Sequence, residues 1–249
     1  MQKLTQSPVD PAFVQDPYPF YATMRAAGDV VWWDDYNMAC ATSHRAVTAA
    51  LRDKRMGREI PAEKAPVIPD HLKPFYAFEA KSMLELEPPN HTRLRGLVLR
   101  AFTSRRIAAL EPDIESLSHQ LIDRFPDNAP FDLLDAFARP LPVRIIARLL
   151  GVPEDNSDQL LRWSNDMVAM YQARRTRAIE DAATKATQDF SAYIADYIKH
   201  KRNSPGDDLI STLIAAEEDG NKLSHEELIG TCILLLNAGH EATVHTIGN

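Results

Sequence analysis

Cysteine is nearly missing from this chain. Cys40 and Cys232 are the two among 249 residues. Two cysteines cannot build a disulfide framework, and they suit a reducing cytosol, so a cytoplasmic protein is expected. Long apolar runs are missing too. No uninterrupted stretch approaches the roughly 20 residues that cross a bilayer. Residues 1–8 hold neither a signal-peptide core nor an anchor, so no membrane association is expected. Positive charge is in deficit: 28 Lys and Arg stand against 35 Asp and Glu, a net charge of −7. That balance argues against a general nucleic-acid surface. There is no internal repeat and no low-complexity tract. A zinc-protease box is also absent. The run His240-Glu241-Ala242-Thr243-Val244-His245 suggests one by eye, but its imidazoles are five residues apart. That spacing puts them about 140° apart on a helical wheel, whereas a spacing of four would put them about 40° apart on one face. No metal ligand is expected.

Apolar residues make up 45% of the chain, enough for a core. The pattern is mainly helical. Val30-Val31-Trp32-Trp33 and Met38-Ala39-Cys40-Ala41-Thr42 flank a polar turn and predict a small β-hairpin. Ser43 can cap the short helix after it. Residues 53–89 hold many prolines and no clear period, so they read as a long loop with a helical turn. Helices follow near 113–125, 135–150, 155–172, 177–202 and 207–218. Ser224-His225-Glu226-Glu227 is a capping box, which opens a proline-free helix running toward Asn249. No boundary divides the chain, so residues 1–249 are read as part of one domain.

That last helix carries the most informative stretch, Leu234-Leu235-Leu236-Asn237-Ala238-Gly239-His240-Glu241-Ala242-Thr243. Gly costs about 1 kcal/mol against Ala inside a helix, and a buried carboxylate needs a partner. On the wheel, Leu235, Ala238, Gly239, Ala242 and Thr246 share an arc of about 100°. The middle of that face has almost no side chain, so a flat ligand could approach the backbone. Close packing of two helices through small residues is the plainer alternative. Glu241 points away from this face and Thr243 sits at its edge.

A second constellation runs Leu84-Glu85-Leu86-Glu87-Pro88-Pro89-Asn90-His91-Thr92-Arg93-Leu94-Arg95 and on to Phe102-Thr103. Asn90 can cap a helix, which stacks His91 and Arg95 four residues apart on one face. Such a pair can clamp an anion, although a solvated basic face would look the same.

The two constellations in this order resemble the cytochrome P450 family of haem-thiolate monooxygenases, in its soluble bacterial form. The likeness extends to Asp16-Pro17-Tyr18-Pro19-Phe20-Tyr21, to the stretch from Arg139-Pro140-Leu141-Pro142 through Gly151-Val152-Pro153, and to Asp207-Asp208-Leu209 with residues 217–220. It implies the N-terminal part of the P450 fold, ending at the central helix. It implies haem b with its iron as cofactor. His91 and Arg95 would then bind the haem propionates, Ala238 and Gly239 would form the oxygen-binding groove, and Glu241 would deliver protons, with Thr243 beside it. Phe75, Phe78, Met83, Met170 and Leu235 would wall a substrate pocket, with core packing as the alternative. The implied partners are a small apolar organic substrate, dioxygen and a ferredoxin-type electron donor. Arg93, Arg100, Arg105 and Arg106 are candidates for the donor's docking surface or for a solvated charged face.

Two departures stand out. The family usually has Thr directly after the acid, and here Ala242 occupies that place. A substrate hydroxyl or an ordered water would then have to relay protons. The family's Cys loop and Glu-x-x-Arg motif are missing, and neither Cys40 nor Cys232 sits in Gly-rich surroundings. The chain is therefore expected to lack the axial thiolate and to be an inactive portion of the enzyme. A non-catalytic helical module for small molecules and a non-functional truncated product are the competing readings.

Overall fold

The computed structural model describes residues 1–172, 175–218 and 221–249. The chain forms two compact units, Met1–Arg58 and Glu59–Asn249.

The first unit mixes short helices with a small sheet. β1 (Lys3–Leu4) leads to α1 (Pro11–Gln15) and α2 (Tyr18–Ala27). The Asp10 carboxylate accepts from the Ala12 amide and caps α1, with Pro11 set at the first helical position. β2 (Val30–Trp33) and β3 (Met38–Ala41) form the expected hairpin, and α3 (His44–Arg52) follows. Asn37 takes the left-handed conformation that the tight turn requires, and Ser43 caps α3. The sheet has a third strand that the sequence did not announce, because β1 pairs in parallel with β2. Two residues are too few to show alternation. A ring cluster closes this unit: Phe13, Phe20 and Tyr36 meet Trp33 edge-on or tilted.

The second unit is helical. α4 is Lys73–Glu79, α5 Asn90–Ala101, α6 Ser104–Ala108 and α7 Glu111–Ile122. A π-helical turn (Leu134–Ala138) precedes α8 (Pro140–Leu150). Then come α9 (Ser157–Val168), α10 (Arg177–Asn203), α11 (Leu209–Ala215), the strands β4 (Glu217–Glu218) and β5 (Asn221–Lys222), and α12 (His225–Gly248). The largest apolar core joins α5 with α8 to α12, and a smaller cluster packs Leu117 and Leu121 of α7 against Leu141 and Ile145 of α8. α10 lays Ala186, Phe190, Ile194 and Ile198 along one face, a helical stripe at spacings of three to four. Trp163 of α9 stacks on Phe190 with ring centroids 5.3 Å apart. α12 is buried through Leu228, Ile229, Cys232, Ile233 and Leu236, and its capping box is complete.

Several expectations need correction. Residues 53–89 contain a true helix, α4, and 3-10 turns at Ala62–Lys64 and Asp70–Leu72. Phe75 and Phe78 are three apart on that helix, a spacing hidden by the prolines around it. Asn90 is the first helical residue rather than the cap. Helical bonding already starts upstream, where the Glu87 carbonyl accepts from His91 N–H. The helix expected over 207–218 ends at Ala215, after which the chain turns into the β4–β5 ladder. Asp219 and Gly220, part of the family-like approach to the last helix, lie outside the described residues.

Candidate functional site

The exposed face of α12 at Ala238 and Gly239 borders an open groove of about 400 Å³. Met83, Phe102, Ile146, Leu149 and Leu235 complete its lining, which is almost wholly apolar. Gly239 lies in close contact with α8. A Cβ there would lie 2.8 Å from Ile146 Cδ1. The groove thus exists because the chain put its smallest residues where α8 comes closest.

On a helical wheel, His91 and Arg95 are about 40° apart, and Phe102 lies about 20° from Arg95. Phe102 lines the groove, whereas His91 and Arg95 are not among its lining residues. His91 is half-buried and Arg95 exposed. Neither makes a side-chain hydrogen bond or ion pair among the described residues. Arg93, which lies between them, is engaged elsewhere: it pairs with Glu227 of the capping box and donates to the Lys222 carbonyl at 3.5 Å.

Glu241 borders a different surface. It lines a polar crevice of about 510 Å³ with Asp135, Arg139, Asp158, Arg162, His240 and His245. Its Oε1 is 3.9 Å from His245 Nε2. Thr243 spends its hydroxyl on its own helix, donating to the Gly239 carbonyl at 2.9 Å. Thr246 does the same with Ala242 at 2.8 Å. Neither hydroxyl is held toward the groove by a second element.

The expected pocket residues divide. Met83, Leu235, Ala238 and Gly239 meet in the groove. Phe78 packs against the main core, whereas Phe75 and Met170 are buried together in a satellite cluster with Leu72 and Ala183. The prolines and turns of 53–89 hid how far α4 carries Phe75 from the groove. Sequence reasoning also missed Phe102, Ile146 and His240. Phe102 had a usable signal, since it follows Arg95 by seven residues and so shares its face. Ile146 had none.

Cys40 belongs to the first unit, and Cys232 is not among the residues lining the groove. Cys232 is buried in the core, and burial pushes its thiol up to about 12. Burial also raises the Cys40 thiol above its ordinary value. Metal ligation needs a thiolate, so both environments oppose it. Among the described residues no group of three His, Cys, Asp or Glu is arranged to hold a metal ion, and no helix is long and apolar enough to cross a membrane.

The redox-surface arginines are also unequal. Arg106 is tied to Asp207 and Thr212 at 3.1 Å each, and Arg100 has a partner as well. Arg105 is exposed.

Comparison with known proteins gives one consistent picture. The cytochrome P450 family model matches residues 30–249. Cytochrome P450 107B1 of Saccharopolyspora erythraea is 37% identical over 96% of this chain and 59% of its own length. The 6-deoxyerythronolide B hydroxylase of the same organism is 34% identical over 95% of this chain and 60% of its own. The solved structure of P450BioI in complex with a fatty-acid-ligated acyl carrier protein superimposes with a TM-score of 0.86 at 30% identity, covering 95% of this chain and 60% of that one. The chain therefore spans about 60% of the length of these relatives. With its groove, its helix order and a family match running from Val30 to the last residue, the chain belongs to the cytochrome P450 family.

Proposed function

We propose that this chain supplies the distal wall and part of the propionate clamp of a haem-dependent monooxygenase. In its whole form that enzyme inserts one atom of dioxygen into a small apolar organic substrate. One observation carries the reading: an almost wholly apolar groove is floored by Ala238 and Gly239, and Phe102, directly after the helix that bears His91 and Arg95, lines it. The donor set fits haem, whose edge is apolar and whose propionates are anionic. His91 offers a ring N–H and Arg95 a permanent charge with several donors. Haem supplies the oxidation chemistry when bound. The chain's own residues do the rest. Leu235, Phe102 and Met83 exclude water from the groove. Ala238 and Gly239 keep the α12 backbone approachable. Glu241 holds its carboxylate at the border of the polar crevice, where solvent protons arrive. With Ala242 in place of a hydroxyl, and with Thr243 bonded to its own helix, a substrate hydroxyl or a water completes the path to the groove.

The axial thiolate is not assigned to Cys40 or Cys232, and the chain alone is expected to lack turnover. Both compact units belong to one P450 domain in this proposal, because the family match begins inside the first and continues through the second. A ferredoxin-type donor and a cytoplasmic setting belong to the same reading. The test is a haem titration of the purified protein, followed in the Soret band. His91→Ala with Arg95→Ala should weaken binding about tenfold. Reduction under carbon monoxide should give no thiolate-type spectrum. Equal affinity in the double variant, or a thiolate-type band lost in Cys232→Ser, would overturn the assignment.

A further inference from the structure

α12 borders a second opening besides the apolar groove, and no residue lines both. This is the polar crevice of about 510 Å³, walled by the π turn, the start of α8, α9 and α12. That volume lies within the roughly 300–1,000 Å³ of small-molecule sites.

The charges on its wall do not cancel. Arg139 pairs with Asp135. Arg162 donates to a neutral side chain, Gln159, at 2.8 Å. Asp158 has no hydrogen bond or ion pair among the described residues. Glu241 meets only His245, at 3.9 Å. With both histidines neutral, three carboxylates stand against two guanidinium groups. The excess is one negative charge. Leu134, Leu161 and Val244 give the same wall an apolar part.

His240 adds the second observation. Its ring is part of the crevice wall, yet the residue is only 3% exposed. Its Nδ1 is buried without a hydrogen-bond partner among the described residues. A buried polar atom of this kind calls for a partner. Burial keeps the ring neutral, with a pKa lowered to about 4. A neutral imidazole accepts at one nitrogen.

These features choose among ligands. Excess negative charge opposes an anion. A metal ion is not served, because among the described residues no three His, Cys, Asp or Glu are arranged to hold one. A cation that carries N–H donors and a compact apolar body matches every part of the wall. The geometry points to a binding site for a protonated aliphatic amine, with its ammonium group drawn by Asp158 and Glu241, its alkyl part against Leu134, Leu161 and Val244, and the His240 ring turned so that Nδ1 accepts an N–H. Occupancy would set a cation beside the acid assigned to proton delivery. That consequence rests on the proposed monooxygenase reading, whereas the binding does not.

NMR titration of the protein without haem tests the site, with cyclohexylammonium as the probe. The ring C–H signal of His240, identified by its loss in His240→Phe, should shift saturably. The ring signals of Phe102, in the apolar groove, should stay in place. Cyclohexanol and cyclohexanecarboxylate have nearly the same shape, and each should bind about tenfold more weakly or less tightly still. Asp158 is exposed, so Asp158→Asn should leave the fold intact and weaken the amine about threefold. Absence of a saturable shift at His240 would overturn the proposal. So would cyclohexanol or the carboxylate binding as tightly as the amine, unchanged affinity in Asp158→Asn, or a shift at Phe102 in place of His240. A failed haem titration would leave all of these results standing.

Discussion

His240 sits where its charged form is opposed. It is 3% exposed, and its Nδ1 is buried without a hydrogen-bond partner among the described residues. Burial, and then the neighbouring charge of His245, lowers its pKa from 6.5 to about 4. Between those values the unfolded chain holds a proton that the native state refuses. Native stability contributed by neutral His240 is thus complete above about pH 6.5, falls with pH, and is gone below about pH 4. Linkage of this size is on the order of 3 kcal/mol across the window. His240→Phe keeps an aromatic ring, a somewhat larger one, and removes both the proton and the unpaired nitrogen. Urea unfolding should show the variant at least as stable as the parent at pH 7, with a clearly weaker loss of stability between pH 6.5 and 4.5. Parallel pH profiles would show that His240 is not the group responsible. The sequence displayed this histidine only as the variable position between Gly239 and Glu241. Nothing local in the sequence reveals that α9 and the π turn would close over it.

At the scale of elements, the contact of α8 with α12 sets the groove. Ala at position 239 would gain about 1 kcal/mol of helix propensity. Its methyl would also press on Ile146 Cδ1 at 2.8 Å, and overpacking costs about 1–3 kcal/mol. Gly239→Ala should therefore destabilise by about 1 kcal/mol in the parent. In an Ile146→Val background, which deletes the colliding carbon, it should be neutral or stabilising. A double-mutant cycle in urea measures the coupling, and additive effects would mean that the helices adjust without strain. The same contact shows where sequence reasoning reached its limit. The α12 start was legible because a capping box is a local signal, two reciprocal bonds between residues three apart. The hairpin was legible from alternation around a polar turn, and the small-residue face from the wheel alone. α4 was not, because prolines at 69 and 74 mask a helix of seven residues. The break before α8 was not, since a π turn differs from a helix only in which carbonyl each amide meets. Phe75 and Met170 could be named as apolar. Their burial in a second core depends on bonds such as His71–Glu180 that link residues more than 100 apart.

The whole molecule is two compact units joined near residue 58. Its charge is distributed in a way that makes the join accessible: Lys54, Arg55 and Arg58 are exposed in a stretch without regular structure. Each unit has its own core, one built on rings around Trp33 and the other on α8, α9, α10 and α12. Backbone outside helices and ladders, bearing basic residues at the surface, is where a protease engages first. Other basic residues stand within helices. Arg148 pairs with Glu154, and Lys201 is bonded to buried Asp208 at 2.7 Å beside the end of α10. Brief trypsin treatment under native conditions should therefore cut first at Lys54, Arg55 or Arg58. The larger product, beginning at about residue 59, should keep the helical circular dichroism of α5 to α12, because its core draws no residue from the first unit. Initial cuts within α10, or loss of helical signal as soon as the join is cut, would show that the second unit does not hold its fold alone.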